Sequence, residues 1–126
     1  MQKMQNILRY LGLLGGFIML GMGIGWVVNP EFTAASLQMS LLEGPGLNSQ
    51  LGDTTSFFLG TGLFAIVGIW QKRPDLLLAA IVLMGGVAVW RIFGGLVHEA
   101  PILWEPVATE VVFSAIWYGL WRDMKS

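Results

Sequence analysis

Four stretches of this chain are apolar over about the 20 residues that a helix needs to cross a bilayer, and they constrain the fold more than any other feature. They span about residues 7–28, 51–70, 76–97 and 106–121, the last the shortest and dependent on its flanks to complete a crossing. The chain of 126 residues is 55% hydrophobic and only 12% charged, about half the charge of a soluble domain. The expected fold is therefore all-α: an integral membrane four-helix bundle forming a single domain over residues 1–126.

The first stretch follows Lys3 and Arg9, as a signal peptide would, but its apolar run exceeds the usual core of 7–15 residues and Thr33-Ala34-Ala35 makes a poor cleavage site. It reads as an uncleaved span. Basic residues then set the orientation. Lys3 and Arg9 precede the first span, Lys72 and Arg73 join the second to the third, and Arg122 and Lys125 follow the fourth. The other two connections carry Glu31 and Glu43, and Glu99 and Glu105. The excess of Lys and Arg on cytoplasmic loops predicts a multi-pass protein with both termini in the cytoplasm. Trp26 and Trp104 then fall at the outer boundary and Trp70 and Trp121 at the inner one.

Between the first two spans, Asn29-Pro30 pairs a capping side chain with a proline at the first helical position. Phe32, Ala35, Met39 and Leu42 recur at helical spacing, and Gly44-Pro45-Gly46 ends the run. This predicts a short interfacial helix over about residues 30–42, with a plain connector as the alternative.

Three ionisable residues, Asp53, Arg91 and Glu110, lie inside the apolar stretches, all toward the outer end. A charge in hydrocarbon costs roughly 2.5–3.5 kcal/mol on insertion scales, so such groups turn inward to a partner or to water. Arg91 is roughly 10 Å below the end of its helix at 1.5 Å per residue, within snorkelling reach of either acid. Arg91, Gly94, Gly95 and His98 share one face, and the glycines leave space between cation and imidazole. Two readings stay open: a structural ion network of Asp53, Arg91 and Glu110, with His98 beside it, or a ligand or transport site around Arg91.

Other chemistries rank lower. One histidine and no cysteine exclude thiolate catalysis and thiolate metal sites. An arginine between Asp53 and Glu110 keeps both acids ionised, so neither is poised as a general acid. His98 with scattered acids is a weak metal set, no metal ligands are assigned, and no cofactor is indicated. The net charge of -1 offers no basic stripe for nucleic acid.

Small residues recur four apart at Gly12/Gly16, Gly21/Gly25, Ser56/Gly60 and Ala115/Gly119, a spacing that lets helices approach closely in lipid. The first helix carries two such pairs. Packing of the helices within the chain is the expected use of most of these pairs, and the glycine face of the first helix, with Trp117 and Tyr118, is the best candidate for contact with a larger membrane complex or a second copy.

The run Trp90-Arg91-Ile92-Phe93-Gly94-Gly95, with His98, Pro101 and Ala108-Thr109-Glu110-Val111, resembles a family of small four-helix bacterial inner-membrane proteins of unknown function, broadly similar to DoxX-type proteins. The resemblance implies a bacterial inner-membrane location, with Arg91 and Glu110 matching the family's third-helix arginine and fourth-helix acid. Where another arginine is expected early in the second helix, this chain has Asp53-Thr54-Thr55-Ser56. The functional expectation is a non-catalytic accessory or assembly subunit. The alternative is a small transporter or ligand-binding protein using the Arg91 pocket, and a membrane enzyme ranks third.

Overall fold

Proline opens three of the five helices, where its missing N–H costs nothing and its fixed φ already suits the helix. In the computed structural model, which describes residues 1–126, α1 spans Gln2–Val28, α2 Pro30–Ser36, α3 Pro45–Trp70, α4 Pro74–His98 and α5 Trp104–Lys125, with no strand. Asn29 caps α2 by accepting from the Phe32 N–H at 3.2 Å. The α2 helix is shorter than expected: it stops at Ser36, and Met39 and Leu42 lie in an extended linker. The Gly44-Pro45-Gly46 run begins a helix rather than ending one. Gly44 takes φ 58°, ψ −139°, a conformation open essentially only to glycine, and Pro45 follows as the first residue of α3. That helix therefore starts six residues before the expected span.

The four long helices form a ring in which α1 and α4 each pack against both α3 and α5, while α2 folds back over the end of α1. One end of the bundle carries the acidic connections and the other gathers six of the seven Lys and Arg residues, all but Arg91. These are called the acidic and basic ends below.

Glycine sets how near the helices come. A Cβ on Gly62 would lie 2.6 Å from the Leu20 backbone nitrogen and 2.8 Å from the Gly16 carbonyl oxygen, so α1 and α3 touch backbone to backbone. Gly12, Gly15, Gly16, Met19, Gly23 and Trp26 form the buried face of α1, at spacings of three and four. The expected partner surface is thus largely consumed within the chain. Gly12 sits under Ile69, Trp117 and Leu120, Gly16 under Ile66, and Gly25 against Thr33. Trp117, expected outward, is fully buried and donates its indole N–H to the Gly12 carbonyl at 3.0 Å. Only Gly21 and Tyr118 of that set face out. Gly60, Ser56 and Ala115 likewise contribute little to the interior: nothing lies within 4 Å of a Cβ on Gly60, and the other two are exposed. Trp26, assigned to an interfacial belt, is buried, whereas Trp70 and Trp104 are exposed.

The core is narrow, built on Met19, Ala65, Ile69, Leu77, Ala80, Met84, Trp117 and Leu120. Large apolar side chains instead populate the exterior, among them Leu14, Phe17, Ile24, Leu63, Val82, Val89 and Val112. Three helices, α1, α3 and α4, are long and apolar enough to cross a membrane. The helix α5, expected as a fourth span, is not among them, because Glu105, Glu110, Arg122, Asp123 and Lys125 interrupt its apolar face.

Candidate functional site

The connection between α4 and α5 is only residues 99–103, so the two helices run antiparallel as neighbours and residues equidistant from it face one another. Arg91 lies seven residues before the end of α4 and Glu110 six after the start of α5. They meet: Arg91 Nε donates to Glu110 Oε1 at 3.1 Å and Oε2 at 3.0 Å. The Glu110 side chain is 11% exposed and that of Arg91 26%. Both terminal amino groups of the guanidinium make no hydrogen bond to the protein. Up to four N–H donors are therefore still available, on a side chain that keeps part of its surface open.

Arg91 borders two adjoining spaces. A cavity of about 270 Å³ lies among the four long helices at the acidic end, with Arg91, Glu110, Thr109 and Glu105 on one side and Ile18, Met19, Met22, Phe58 and Met84 on the other. A more open groove of about 650 Å³ runs between α3 and α4 along Phe57, Val82, Leu83, Gly86, Val87 and Trp90. Leu37, Gln38 and Arg91 line both. Nothing lies within 4 Å of a Cβ placed on Gly86, so the groove floor there is open.

The linker after α2 closes the top of this region. Gln38 adopts φ 58°, a left-handed conformation that is uncommon for any side chain other than glycine. Buried Gln50 holds the following strand of linker from both sides, donating to the Ser40 carbonyl at 3.1 Å and accepting from the Leu42 N–H at 2.9 Å. Neither glutamine was singled out by sequence. Amides at the start of an apolar helix, Asn48 and Gln50 here, were the available signal.

Asp53 does not join the pair. It is exposed, has no ion-pair partner, and borders a shallow groove beside Met39, Ser40 and Leu42. Depth along the helix axis brought it level with Arg91, but its direction around α3 takes it elsewhere. His98 is also exposed and apart from the pair. The space expected on this face is open at Gly94, where a Cβ would meet nothing within 4 Å, and filled by Ile102 at Gly95; the Gly94 carbonyl accepts from the Ala100 N–H at 3.4 Å as the chain turns through Glu99 in a left-handed conformation, φ 59°. No three side chains of His, Asp or Glu converge as a metal set.

Chemically, the arrangement offers a neutralised guanidinium–carboxylate pair with spare donors, one further acid at its rim, and an apolar channel leading away. It suits an amphiphile. No family model, curated protein or solved structure matches the chain, and the resemblance to DoxX-type proteins gains no support from them.

Proposed function

We propose that this protein is a ligand-binding or small transport protein of the membrane, holding a neutral amphiphile by its polar head at Arg91 and Glu110. The observation that carries this reading is the pair of unpaired Arg91 amino groups at the junction of a polar cavity and an apolar groove. An acceptor oxygen on the ligand satisfies the guanidinium, and a hydroxyl donor satisfies Glu110. With Glu105 at the rim and Glu110 already balancing Arg91, an anionic head is disfavoured and an uncharged one fits. The groove receives the alkyl tail between α3 and α4.

The reading places α1, α3 and α4 across a bilayer, with α5 as a fourth crossing whose Glu110 is neutralised by Arg91 and whose terminal charges reach the surface. The apolar exterior supports this. So does the separation of acidic and basic ends; on this reading both termini lie in the cytoplasm, as the positive-inside rule expects, and the cavity lies in the outer leaflet of a bacterial inner membrane. Reporter fusions at Ser126 and within residues 43–50 are expected to be active on the cytoplasmic and the external side, respectively. Cytoplasmic activity from the linker fusion would reverse the orientation.

Binding is tested by titrating a monoacylglycerol into the protein in uncharged detergent. We expect saturable binding that Arg91→Gln weakens about tenfold or more, as loss of a charge-assisted hydrogen bond implies, and that Arg73→Gln, at the basic end, leaves unchanged. Equal binding by both variants would remove Arg91 from the site.

The competing proposal is an accessory or assembly subunit, and one position favours it. Gly21 faces outward between Phe17 and Ile24 with nothing within 4 Å of a Cβ, leaving a shallow place where another helix can seat. Purification from native membranes with a stoichiometric partner, released by Gly21→Leu, would make docking rather than ligand binding the primary role.

A further inference from the structure

Six basic residues gather at one end of the bundle, yet they are not equivalent. Arg9 and Lys72 line a cavity of about 240 Å³ between the start of α1, the α3–α4 turn and the end of α5, together with the amides Gln2, Gln5 and Asn6. Ile69, Leu120 and Met124 supply its apolar portion. Neither cation has a carboxylate within ion-pair distance; the two salt bridges of the protein join Arg73 to Asp75 and Arg91 to Glu110. The Arg9 guanidinium is held 5.9 Å over the Trp70 ring, which orders it without neutralising it.

Lys72 adds a separate observation. The α3 helix ends in a Schellman motif, the Arg73 N–H donating to the Gly68 carbonyl at 2.8 Å and the Lys72 N–H to the Ile69 carbonyl at 3.4 Å. That motif places Lys72 at the left-handed position, φ 54°, where glycine is usual and a side chain is sterically disfavoured. Lys72, like Gln38 and Glu99, thus takes a conformation disfavoured for a side chain, and it stands on the wall of a cavity that also holds an unpaired arginine and three amides, of which Gln2 donates to Asn6 at 3.2 Å.

We infer that this cavity binds a phosphate group, its oxygens accepting from Arg9, Lys72 and the amides. Asp123, the one acid on its wall, is repelled by phosphate alone, so the ligand carries an O–H or N–H donor close to the phosphate to meet it. A phospholipid head such as phosphoglycerol meets both requirements, with its chains lying along the apolar exterior. The lipid source rests on the membrane reading above; the phosphate chemistry does not.

The test compares two double variants that each remove two positive charges: Arg9→Gln/Lys72→Gly within the cavity, and Lys3→Gln/Lys125→Gln outside it. Glycine at position 72 relieves the backbone, so loss of the fold is not the expected result, and circular dichroism checks it. Nanodiscs hold phosphatidylglycerol and phosphatidylcholine with matched chains, and native mass spectrometry reads the lipid retained on release. We expect phosphatidylglycerol to be retained by the wild type and the outer variant, and about tenfold less by the cavity variant. In parallel, inorganic phosphate is titrated in uncharged detergent with thermal stability as readout. Protection of the wild type but not the cavity variant by phosphate, without selective lipid retention, assigns the site to a soluble phosphate. Equal losses in the two double variants would reduce the effect to the general field of the basic end and overturn the inference, as would absence of any response to either ligand.

Discussion

Arg91→Ala lowers the melting temperature of the detergent-solubilised protein several times as much as Arg73→Ala. Both residues form ion pairs, at 3.0 Å and 2.8 Å, so geometry does not separate them. Burial does. The Arg73 and Asp75 side chains are 51% and 63% exposed, and water and salt already screen such a pair, which contributes little. Glu110 is only 11% exposed, and removing its partner leaves a mostly buried carboxylate without a counter-charge. Breaking a buried pair on one side typically costs about 3–5 kcal/mol. The double change Arg91→Met/Glu110→Leu removes both charges for apolar groups, and it is expected to recover most of that loss. Additive losses in the double variant would mean that the two residues act independently and that the pair does not hold α4 to α5.

Gly62→Val is the other large effect. Its added Cβ meets the backbone of α1, at the Leu20 nitrogen and the Gly16 carbonyl, and backbone cannot swing aside as a flexible side chain does. Overpacking typically costs about 1–3 kcal/mol, and this site belongs at or above the top of that range. Gly60→Val, two residues away on the open side of α3, is expected to leave thermal stability nearly unchanged, because nothing lies within 4 Å. Similar melting temperatures for the two variants would contradict the backbone contact between α1 and α3.

The contrast between those glycines shows what the sequence carried and where it ran out. Apolar length placed the long helices, since a periodic run of that size has few alternatives, and the structure extends each by a few residues at its polar ends. The short connection between α4 and α5 set Arg91 level with Glu110, but the equally short turn between α3 and α4 set Asp53 level with Arg91 too, and only direction around α3 separates the two acids. Spacing alone did not reveal which face of a helix turns inward. Gly12, Gly16, Gly21 and Gly25 look alike along the chain, yet the first two are buried against α3 and α5, the fourth is taken by Thr33, and Gly21 is open. Direction around the helix axis depends on all neighbours at once. The same limit misplaced Trp117, whose apolar surroundings fit lipid and core equally well. At residues 44–46 the error was local: Gly and Pro were read as a stop, although the Pro at a first helical position that identified α2 applies equally to Pro45.

The amphiphile site is tested most directly by where a ligand's tail lies. A monoacylglycerol with a photoreactive group near the end of its chain is bound, irradiated and located by peptide mapping. The expected labels fall on the α3–α4 groove, at Phe57, Val82, Leu83 or Trp90, and decline with excess unlabelled ligand. Gly86→Leu fills the open groove floor without meeting any protein atom within 4 Å of its Cβ, so it should abolish those labels while leaving the fold and its melting temperature intact. Labels spread evenly over the apolar exterior, unaffected by competitor or by Gly86→Leu, would show that the probe only dissolves around the bundle, and the proposed site would be wrong.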